Sequence, residues 1–465
     1  MMLSKSYQKP HYIFAFFSLL VGVLLVFLLP PIGAIDESQH VRRAADITQF
    51  KLLQPENYTE DELAIWAENG LVLQEKNVSR KPRWNFLEMF KQVSEFPSTL
   101  PTDRQVSLEK NPYAVSNPFM YAPFALVLNI SNYLFHPHPW AQFYILRLTG
   151  LLCSVLLITI AIARMPEHKT LLAAMCLLPA MMNSRSGVNI DGFVIGSAFL
   201  FIGQVYKLCR KKSLVDAQDI FLLSIFAFVM AQSKGAYVPL LFLAFLLPKG
   251  IFSSTRKYWL SLAIVILPAM VVGLGWSALA KSAVLSGMRY RNDLGDVWPD
   301  GQFEWLLTHP FSYGIVLLKT IFTSAMLPKS LWEAIGSIGW GHNFVSIPTI
   351  SYVVLIGILV SIMAHEPVKQ SLQCSRIKHC FIIIIALATI SFALTMLYVQ
   401  WSAYQSPVIE GFQGRYFYPL FPLLVIFVSP IPQRESSRFS TLLLWLFGVV
   451  SSVSLLWTTV NFYYL

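Results

Sequence analysis

Charged residues are scarce in this sequence. Only 13% of its 465 residues are charged, about half the share found in a typical soluble domain, while 55% are hydrophobic. Long apolar stretches recur along the chain, and many reach the ~20 residues needed to cross a bilayer. In hydrocarbon every backbone amide must be satisfied within its own segment, so these stretches are predicted to be helices. The composition excludes a soluble globular enzyme and predicts an all-α, polytopic transmembrane protein.

Cysteine is also scarce. The five cysteines all fall in or beside apolar stretches, and none lies in the long polar segment after the first stretch. Disulfide bonds are therefore not expected to hold that segment together. The sequence contains no CxxC motif and no Cys/His spacing typical of a metal site. We therefore predict no metal ligands among these residues.

The net charge of +10 lies in short basic clusters between apolar stretches, for example at 164–169, 207–212 and 256–257. Clusters of this kind are typical of cytoplasmic loops under the positive-inside rule. A nucleic-acid partner would need a basic soluble surface, and the sequence offers none, so nucleic acid is excluded as a partner. The charge pattern instead predicts a cytoplasmic N-terminus and an uncleaved first span at 12–31.

The first extracytoplasmic loop is predicted to cover 32–139. Apolar residues spaced as in a helix occur at 63–73 and again between Trp84 and Phe90. An apolar stretch at 119–135 ends this loop. If that stretch crossed the membrane, every later basic loop would lie outside, so we place it flat at the membrane interface.

The remaining chain is predicted to alternate across the membrane as a single integral domain, 1–465. A second large extracytoplasmic region is expected at 281–347, with another interfacial stretch at 312–328. This gives eleven spans, with twelve or thirteen as the alternatives. After the first, they are placed at 140–163, 169–185, 190–208, 218–232, 236–250, 258–280, 348–364, 379–400, 415–431 and 438–462.

Two acidic sites fall at the outer ends of predicted spans. Asp36 and Glu37 follow the first span, with His40 one helical turn later, and Asp191 begins another span. Carboxylates at a membrane surface can act as a general base or hold a cation. The plainer alternative is that Asp36 and Asp191 cap helices. An ionisable residue at the edge of an apolar helix is nevertheless a functional candidate by default.

Two cations lie on the outer side, against the charge rule. Lys234 stands between two apolar runs, and Arg415 is followed by the aromatic run Tyr416 to Tyr418. Lysine and the planar guanidinium of arginine both bind phosphate oxygens. The alternatives are a lysine that reaches to the interface and an aromatic belt. Together with the carboxylates, the cations indicate a reaction in which a base activates a hydroxyl and a phosphate departs.

Six short motifs occur in an order that resembles a known family. They are IDESQH at 35–40, NPFMY at 117–121, SGVNIDG at 186–192, SKG at 233–235, IGW at 338–340 and GRYF at 414–417. The series resembles the bacterial predicted membrane proteins called domain of unknown function 2142, from about residue 12 to 430. That family is similar in layout to the C-type glycosyltransferases (GT-C fold), such as aminoarabinose transferase and protein mannosyltransferase.

The resemblance implies roles for individual residues. C-type glycosyltransferases take a sugar from a polyprenyl phosphate and transfer it with inversion on the extracytoplasmic face. Asp36 would occupy their first acidic position, with Glu37 beside it, and Asp191 would occupy the second. Lys234 would contact the lipid phosphate, and Arg415 would be a second phosphate contact. His40 and Tyr416 are counted with the substrate-binding residues.

These observations lead to one expected function. We expect a GT-C-type enzyme of the bacterial inner membrane that uses a polyprenyl-phosphate sugar lipid and an envelope glycan, lipid or protein acceptor. The base is Asp36 or Asp191. The sequence identifies no cofactor, and a divalent cation is kept as the alternative. Many such enzymes carry a soluble C-terminal domain that is not seen here, so acceptor recognition is expected in the first loop and at 281–347. The alternatives are a lipid-linked-sugar flippase or other transporter, a polysaccharide polymerase, and a non-catalytic partner in an envelope complex.

Overall fold

The computed structural model describes residues 9–53, 85–94, 112–285, 289–291, 295–322, 326–339, 344–366, 376–428 and 437–465. Within these residues the chain is mostly helical. The α-helices are α1 (Pro10–Leu28), α2 (Glu37–Thr48), α3 (Phe86–Ser94), α4 (Ala122–Phe135), α5 (Pro139–Arg164), α6 (Lys169–Cys176), α7 (Pro179–Ser184), α8 (Asp191–Cys209), α9 (Ala217–Ser233), α10 (Thr255–Leu285), α11 (Pro299–Thr308), α12 (Pro310–Phe322), α13 (Met326–Gly336), α14 (Thr349–His365), α15 (Arg376–Gln400), α16 (Phe421–Val428) and α17 (Ser437–Tyr463).

Short 3₁₀ segments and two small hairpins complete the described structure. The 3₁₀ segments are Pro112–Val115, Pro118–Tyr121, Gly235–Leu246, Lys249–Ile251 and Gly414–Leu420. Strand β1 (Arg289–Arg291) pairs antiparallel with β2 (Gly295–Val297), and β3 (Ser337–Ile338) pairs antiparallel with β4 (Val345–Ser346). The registers align Tyr290 with Asp296 and Ile338 with Val345.

Six of the described helices are long and apolar enough to cross a membrane: α1, α5, α8, α10, α15 and α17. Four further apolar segments are shorter, namely α9, the 3₁₀ segment Gly235–Leu246, α12 and α14. An all-α protein with several membrane-spanning helices is therefore confirmed. The count of eleven spans is not confirmed, because five of the predicted spans are short or broken helices.

The predicted span at 169–185 is one of the broken ones. It forms two short helices, α6 and α7, and Pro179 begins the second. Arg185 follows them and is itself buried; its Nη2 donates a hydrogen bond to the Cys176 carbonyl at 2.9 Å. A carbonyl at the end of a buried helix needs such a donor. The break is therefore stabilised by a side chain from the second half of the same segment.

The two stretches predicted to be interfacial form helices too short to span. α4 has 14 residues and α12 has 13, so each is ~20 Å long against a hydrocarbon core of ~30 Å. Their orientation to the membrane stays a prediction. α3 covers most of the segment between Trp84 and Phe90 that was predicted to be helical. The other predicted helical segment, 63–73, lies outside the described part of the chain.

Helix α8 is the axis of the bundle. Nearly all of its side chains are buried, and it packs against α5 and α9. Its 19 residues separate two ends of the molecule by ~28 Å. At the Asp191 end, the Tyr463 hydroxyl of α17 donates to the Gly33 carbonyl beyond α1 at 3.3 Å. At the Cys209 end, the Val215 N–H donates to the Ile251 carbonyl at 2.9 Å.

Candidate active site

Four separate chain segments carry the candidate residues to the Asp191 end. Asp36 precedes α2 with a left-handed backbone, φ 56° and ψ 22°. This conformation is uncommon outside glycine but is tolerated best by Asp and Asn. Asp191 begins α8, where its N–H donates to Asn189 Oδ1 at 2.9 Å. Lys234 has an extended backbone between α9 and the next 3₁₀ segment, and Arg415 lies in the segment Gly414–Leu420.

A guanidinium joins the two carboxylates. Arg415 Nη2 donates to Asp36 Oδ2 at 2.8 Å, and Arg415 Nη1 donates to Asp191 Oδ2 at 3.1 Å. Lys234 Nζ donates to the other oxygen, Asp191 Oδ1, at 2.7 Å. Two acids and two cations that lie far apart in sequence thus form one alternating ion cluster. We call Asp36, Asp191, Lys234 and Arg415 the ion cluster.

The contacts of both aspartates argue against the capping interpretation, and their functional role stays a prediction. Asp36 does precede the predicted helix α2, but its side chain makes no capping hydrogen bond. Asn189, not Asp191, supplies the side-chain acceptor at the start of α8. Both carboxylates therefore face the cations, and capping does not explain their presence.

Gly414 sets the approach of Arg415. A side chain at this glycine would collide with the backbone of α13 at Ser330 and Ala334, so only glycine fits there. The Tyr237 hydroxyl donates to the backbone carbonyl of Tyr416, the residue after Arg415, at 3.2 Å. The guanidinium is therefore held by a backbone that is packed on one side and hydrogen bonded on the other.

Tyrosines surround the cluster. The Tyr113 hydroxyl donates to Asp36 Oδ2 at 2.9 Å. The ring of Tyr416 lies 5.8 Å from Arg415 Cζ and 5.9 Å from Lys234 Nζ, within the range of cation–π attraction. Tyr416 thus contacts the cluster, and its predicted contact with substrate stays a prediction. Tyr113 was not predicted, because one tyrosine in a polar loop carries no signal in the sequence.

Asp36 remains a carboxylate in this setting. Burial alone would raise its pKa, but the charge of Arg415 and its hydrogen bond outweigh burial and hold the pKa below its usual value. The pKa of Arg415 is raised well above its usual value: burial opposes the charged form, and the charges of Asp191 and Asp36 outweigh it. The ion pair is therefore charged on both sides at neutral pH.

His40 lies in a second layer behind Asp36. Its Nδ1 is hydrogen bonded to the Tyr121 hydroxyl at 2.6 Å, and its ring packs against Tyr113 with centroids 4.3 Å apart. Burial lowers its pKa to about 3, so the imidazole is neutral at physiological pH. These contacts join His40 to the tyrosines that surround Asp36, and its contact with substrate stays a prediction.

Glu37 has a different environment from its neighbour Asp36. Its oxygens accept from Arg147 Nε and Nη2, both at 2.8 Å, and both side chains of this pair are 0% exposed. Glu37 Oε1 also accepts from the Val188 N–H at 2.8 Å. Because its charge is matched and buried, we do not carry the predicted catalytic role of Glu37 into the proposal. Arg147, which the prediction missed, could have been found as an arginine inside an apolar helix.

A small cavity opens beside the ion cluster. It has a volume of about 10 Å³, roughly the space of one water molecule, and its lining includes Asp191, Lys234 and Arg415. Val194 and Ile195 of α8 and Pro419 also line it. Polar and apolar side chains therefore meet at the cluster.

The residues of the cluster can be compared with the ligands that a divalent cation requires. Both acids of the cluster already face cations, so the site carries no surplus of negative charge. Among the residues that the structure describes, no group of three or more His, Cys, Asp and Glu side chains is placed to hold a metal ion. We therefore route no step through a metal.

Comparison with known proteins identifies a family. A family model described as Predicted membrane protein (DUF2142) matches residues 19–424, which include all four residues of the ion cluster. No curated protein and no solved structure matches the chain.

Proposed function

The chain belongs to the DUF2142 family of predicted membrane proteins, and because that membership names no reaction, we propose a function from the ion cluster itself. We propose that the protein is a membrane glycosyltransferase. It transfers a sugar from a polyprenyl phosphate to an acceptor hydroxyl of the cell envelope, on the extracytoplasmic face of the bacterial inner membrane. The alternating ion cluster at the edge of a partly apolar cavity carries the proposal.

The residues that line the cavity, and not its volume of about 10 Å³, support a lipid-linked donor, which would have to widen the cavity on binding. A polyprenyl phosphate has a charged group at the end of a long apolar chain. Lys234 and Arg415 offer N–H donors for the phosphate, and Val194 and Ile195 continue the wall with apolar side chains. The cations donate to carboxylates here, and the same N–H groups would turn to phosphate oxygens when the donor binds.

Asp36 is the better candidate for the general base. Its side chain is 20% exposed against 8% for Asp191, so an acceptor hydroxyl can reach it more easily. Asp191 is paired with both Lys234 and Arg415, whereas Asp36 meets only Arg415 among the cations of the cluster. Asp191 therefore fits the role of holding the two cations in position.

The proposed step is a single displacement. The acceptor oxygen forms a bond to the anomeric carbon while the bond from that carbon to the phosphate oxygen breaks. The acceptor proton passes to Asp36, and the electron pair of the broken bond leaves with the lipid phosphate. Lys234 and Arg415 stabilise the phosphate as its charge develops. Attack from the opposite face gives inversion, and no acid is needed because phosphate is a good leaving group.

The test compares envelope glycans by mass spectrometry in cells with the protein, without it, and with Asp36→Asn. We expect one glycan modification to disappear both without the protein and in the variant, because asparagine keeps the shape but cannot accept the proton. Membrane abundance and the thermal midpoint of the variant serve as controls for folding. A glycan profile that is unchanged in cells lacking the protein would contradict the proposal, as would full activity of Asp36→Asn.

A further inference from the structure

A second, larger pocket lies at the opposite end of α8 from the ion cluster. It has a volume of about 510 Å³ and is formed by the last residues of α5 and α8 and the first turns of α9. The positive-inside rule places this end of the bundle on the cytoplasmic side. Nothing in the proposed transfer reaction uses this pocket.

Four cations line the pocket, and two of them are matched by acids. Lys211 is paired with Asp216 at 3.2 Å and also contacts Asp219. Arg210 Nη2 is paired with Glu167 at 2.7 Å. These pairs explain the presence of Lys211 and Arg210 without any ligand.

Arg164 and Lys207 are not matched in this way. Within the described part of the chain neither has an acidic partner. Arg164 Nη2 donates to the neutral amide of Gln204 at 2.8 Å, and its Nε is buried without an acceptor among the described residues. Lys207 is exposed to the pocket. Two cations with unused N–H donors in one concave site suit a phosphate group.

The apolar surface beside the pocket identifies the kind of phosphate. Gln218 and Leu222 line the pocket, and Phe221 and Ile225 continue the same face of α9 at helical spacing. Phe221 is 63% exposed and Ile225 is 39% exposed. A free phosphate would not use this surface, whereas acyl chains that extend from a bound headgroup would cover it.

We propose that the pocket binds the phosphate of an anionic phospholipid from the cytoplasmic leaflet. Arg164 and Lys207 bind the headgroup phosphate, and the acyl chains lie along Phe221 and Ile225. Basic pockets between transmembrane helices on the cytoplasmic side have this use in other membrane proteins.

Native mass spectrometry of the full chain with added phosphatidylglycerol or phosphatidylcholine tests the proposal. We expect tighter binding of phosphatidylglycerol, and a loss of about 30-fold in the double variant Arg164→Gln/Lys207→Gln, since each cation near anionic lipid contributes about 1 kcal/mol. The matched control, Arg256→Gln/Lys257→Gln, removes the same charge from exposed residues at the same end. It should keep the wild-type affinity.

Two outcomes would overturn the lipid assignment. If both double variants lose the same affinity, the lipid is attracted to charge in general and not to this pocket. If phosphatidylglycerol binds no better than phosphatidylcholine and inorganic phosphate displaces both, the pocket is a site for free phosphate. Because Arg164→Gln also changes the contact with Gln204, the single variant Lys207→Glu gives a second test. It should reverse the preference for anionic lipid, and an unchanged preference would again contradict the proposal.

Discussion

The buried pair of Glu37 and Arg147 should stabilise the whole Asp191 end of the bundle. Both side chains are fully buried. Arg147 also donates to the carbonyls of Val26 in the last turn of α1 and of Leu29 and Pro30 just beyond it, each at 2.8 Å. One guanidinium thus joins the end of α1 to Glu37, and Glu37 joins it to the loop before α8. We predict that breaking this pair lowers the free energy of unfolding more than any surface ion pair can.

The magnitude follows from what each variant leaves behind. Removing one partner of a buried pair typically costs about 3–5 kcal/mol, because a charge stays buried without compensation. Glu37→Gln should fall at the low end, since an amide oxygen can still accept from the Val188 N–H. Arg147→Met should fall at the high end, because three backbone carbonyls also lose their donor. The double variant leaves no buried charge and should cost less than the sum of the two.

Denaturation in mixed micelles, followed by a thiol-reactive dye, measures these differences through the buried Cys176 once the other four cysteines are replaced by serine. The surface pair of Lys329 and Glu333 provides the control, because the Lys329 side chain is 72% exposed and its atoms are 3.8 Å apart. Lys329→Gln should change stability by about 0–1 kcal/mol. The reasoning fails if Glu37→Gln unfolds like the wild type, or if the costs of the two single variants simply add.

Two further predictions concern the ion cluster and the layer behind it. Lys234→Met should weaken binding of undecaprenyl phosphate about 10- to 100-fold, because a charged hydrogen bond contributes about 1.5–3 kcal/mol. Isothermal titration calorimetry measures this affinity. An equal loss in the exposed control Lys249→Met would contradict a phosphate contact at Lys234. The pKa of His40 is about 3 in the folded chain and 6.5 in the unfolded chain. As pH falls from 6.5 towards 3, only the unfolded chain protonates this imidazole, so the free energy of unfolding should decrease. His40→Gln should flatten that dependence, and parallel stability curves for wild type and variant between pH 6.5 and 4 would refute it.

The membership of the ion cluster was predictable from charge and sidedness. Lys234 and Arg415 are cations on the side that the charge pattern predicts to be extracytoplasmic, where the positive-inside rule expects few, and Asp191 is an acid at the edge of an apolar helix. Each needed a partner, and the structure brings all three together with Asp36. Their roles in catalysis stay predictions.

The contrast between Asp36 and Glu37 could not be predicted. The two carboxylates are adjacent in sequence, but the left-handed backbone at Asp36 sends their side chains to different partners. One meets Arg415 and the other meets Arg147, and both partners lie more than a hundred residues away. Local sequence carries no record of such distant contacts.

The break in the segment 169–185 was hidden for a related reason. Its hydrophobicity resembles that of a continuous span, and Pro179 alone is compatible with a kink. Arg185 stabilises the full break, because its guanidinium donates a hydrogen bond to the Cys176 carbonyl at the end of α6. An arginine at the end of an apolar stretch suggests an interfacial anchor, so its inward direction appears only in three dimensions.

The burial of α8 has a consequence for how the protein responds to its bilayer. In an apolar segment of 18 residues in α8, 89% of the residues are buried, whereas only 22% and 28% are buried in the corresponding segments of α10 and α15. Hydrophobic mismatch acts on lipid-facing helices, which tilt when the bilayer thins or thickens. The lipid-facing helices α10 and α15 would therefore tilt, whereas α8, which carries Asp191 of the ion cluster, would keep its position. Activity in reconstituted membranes should then vary little with acyl-chain length.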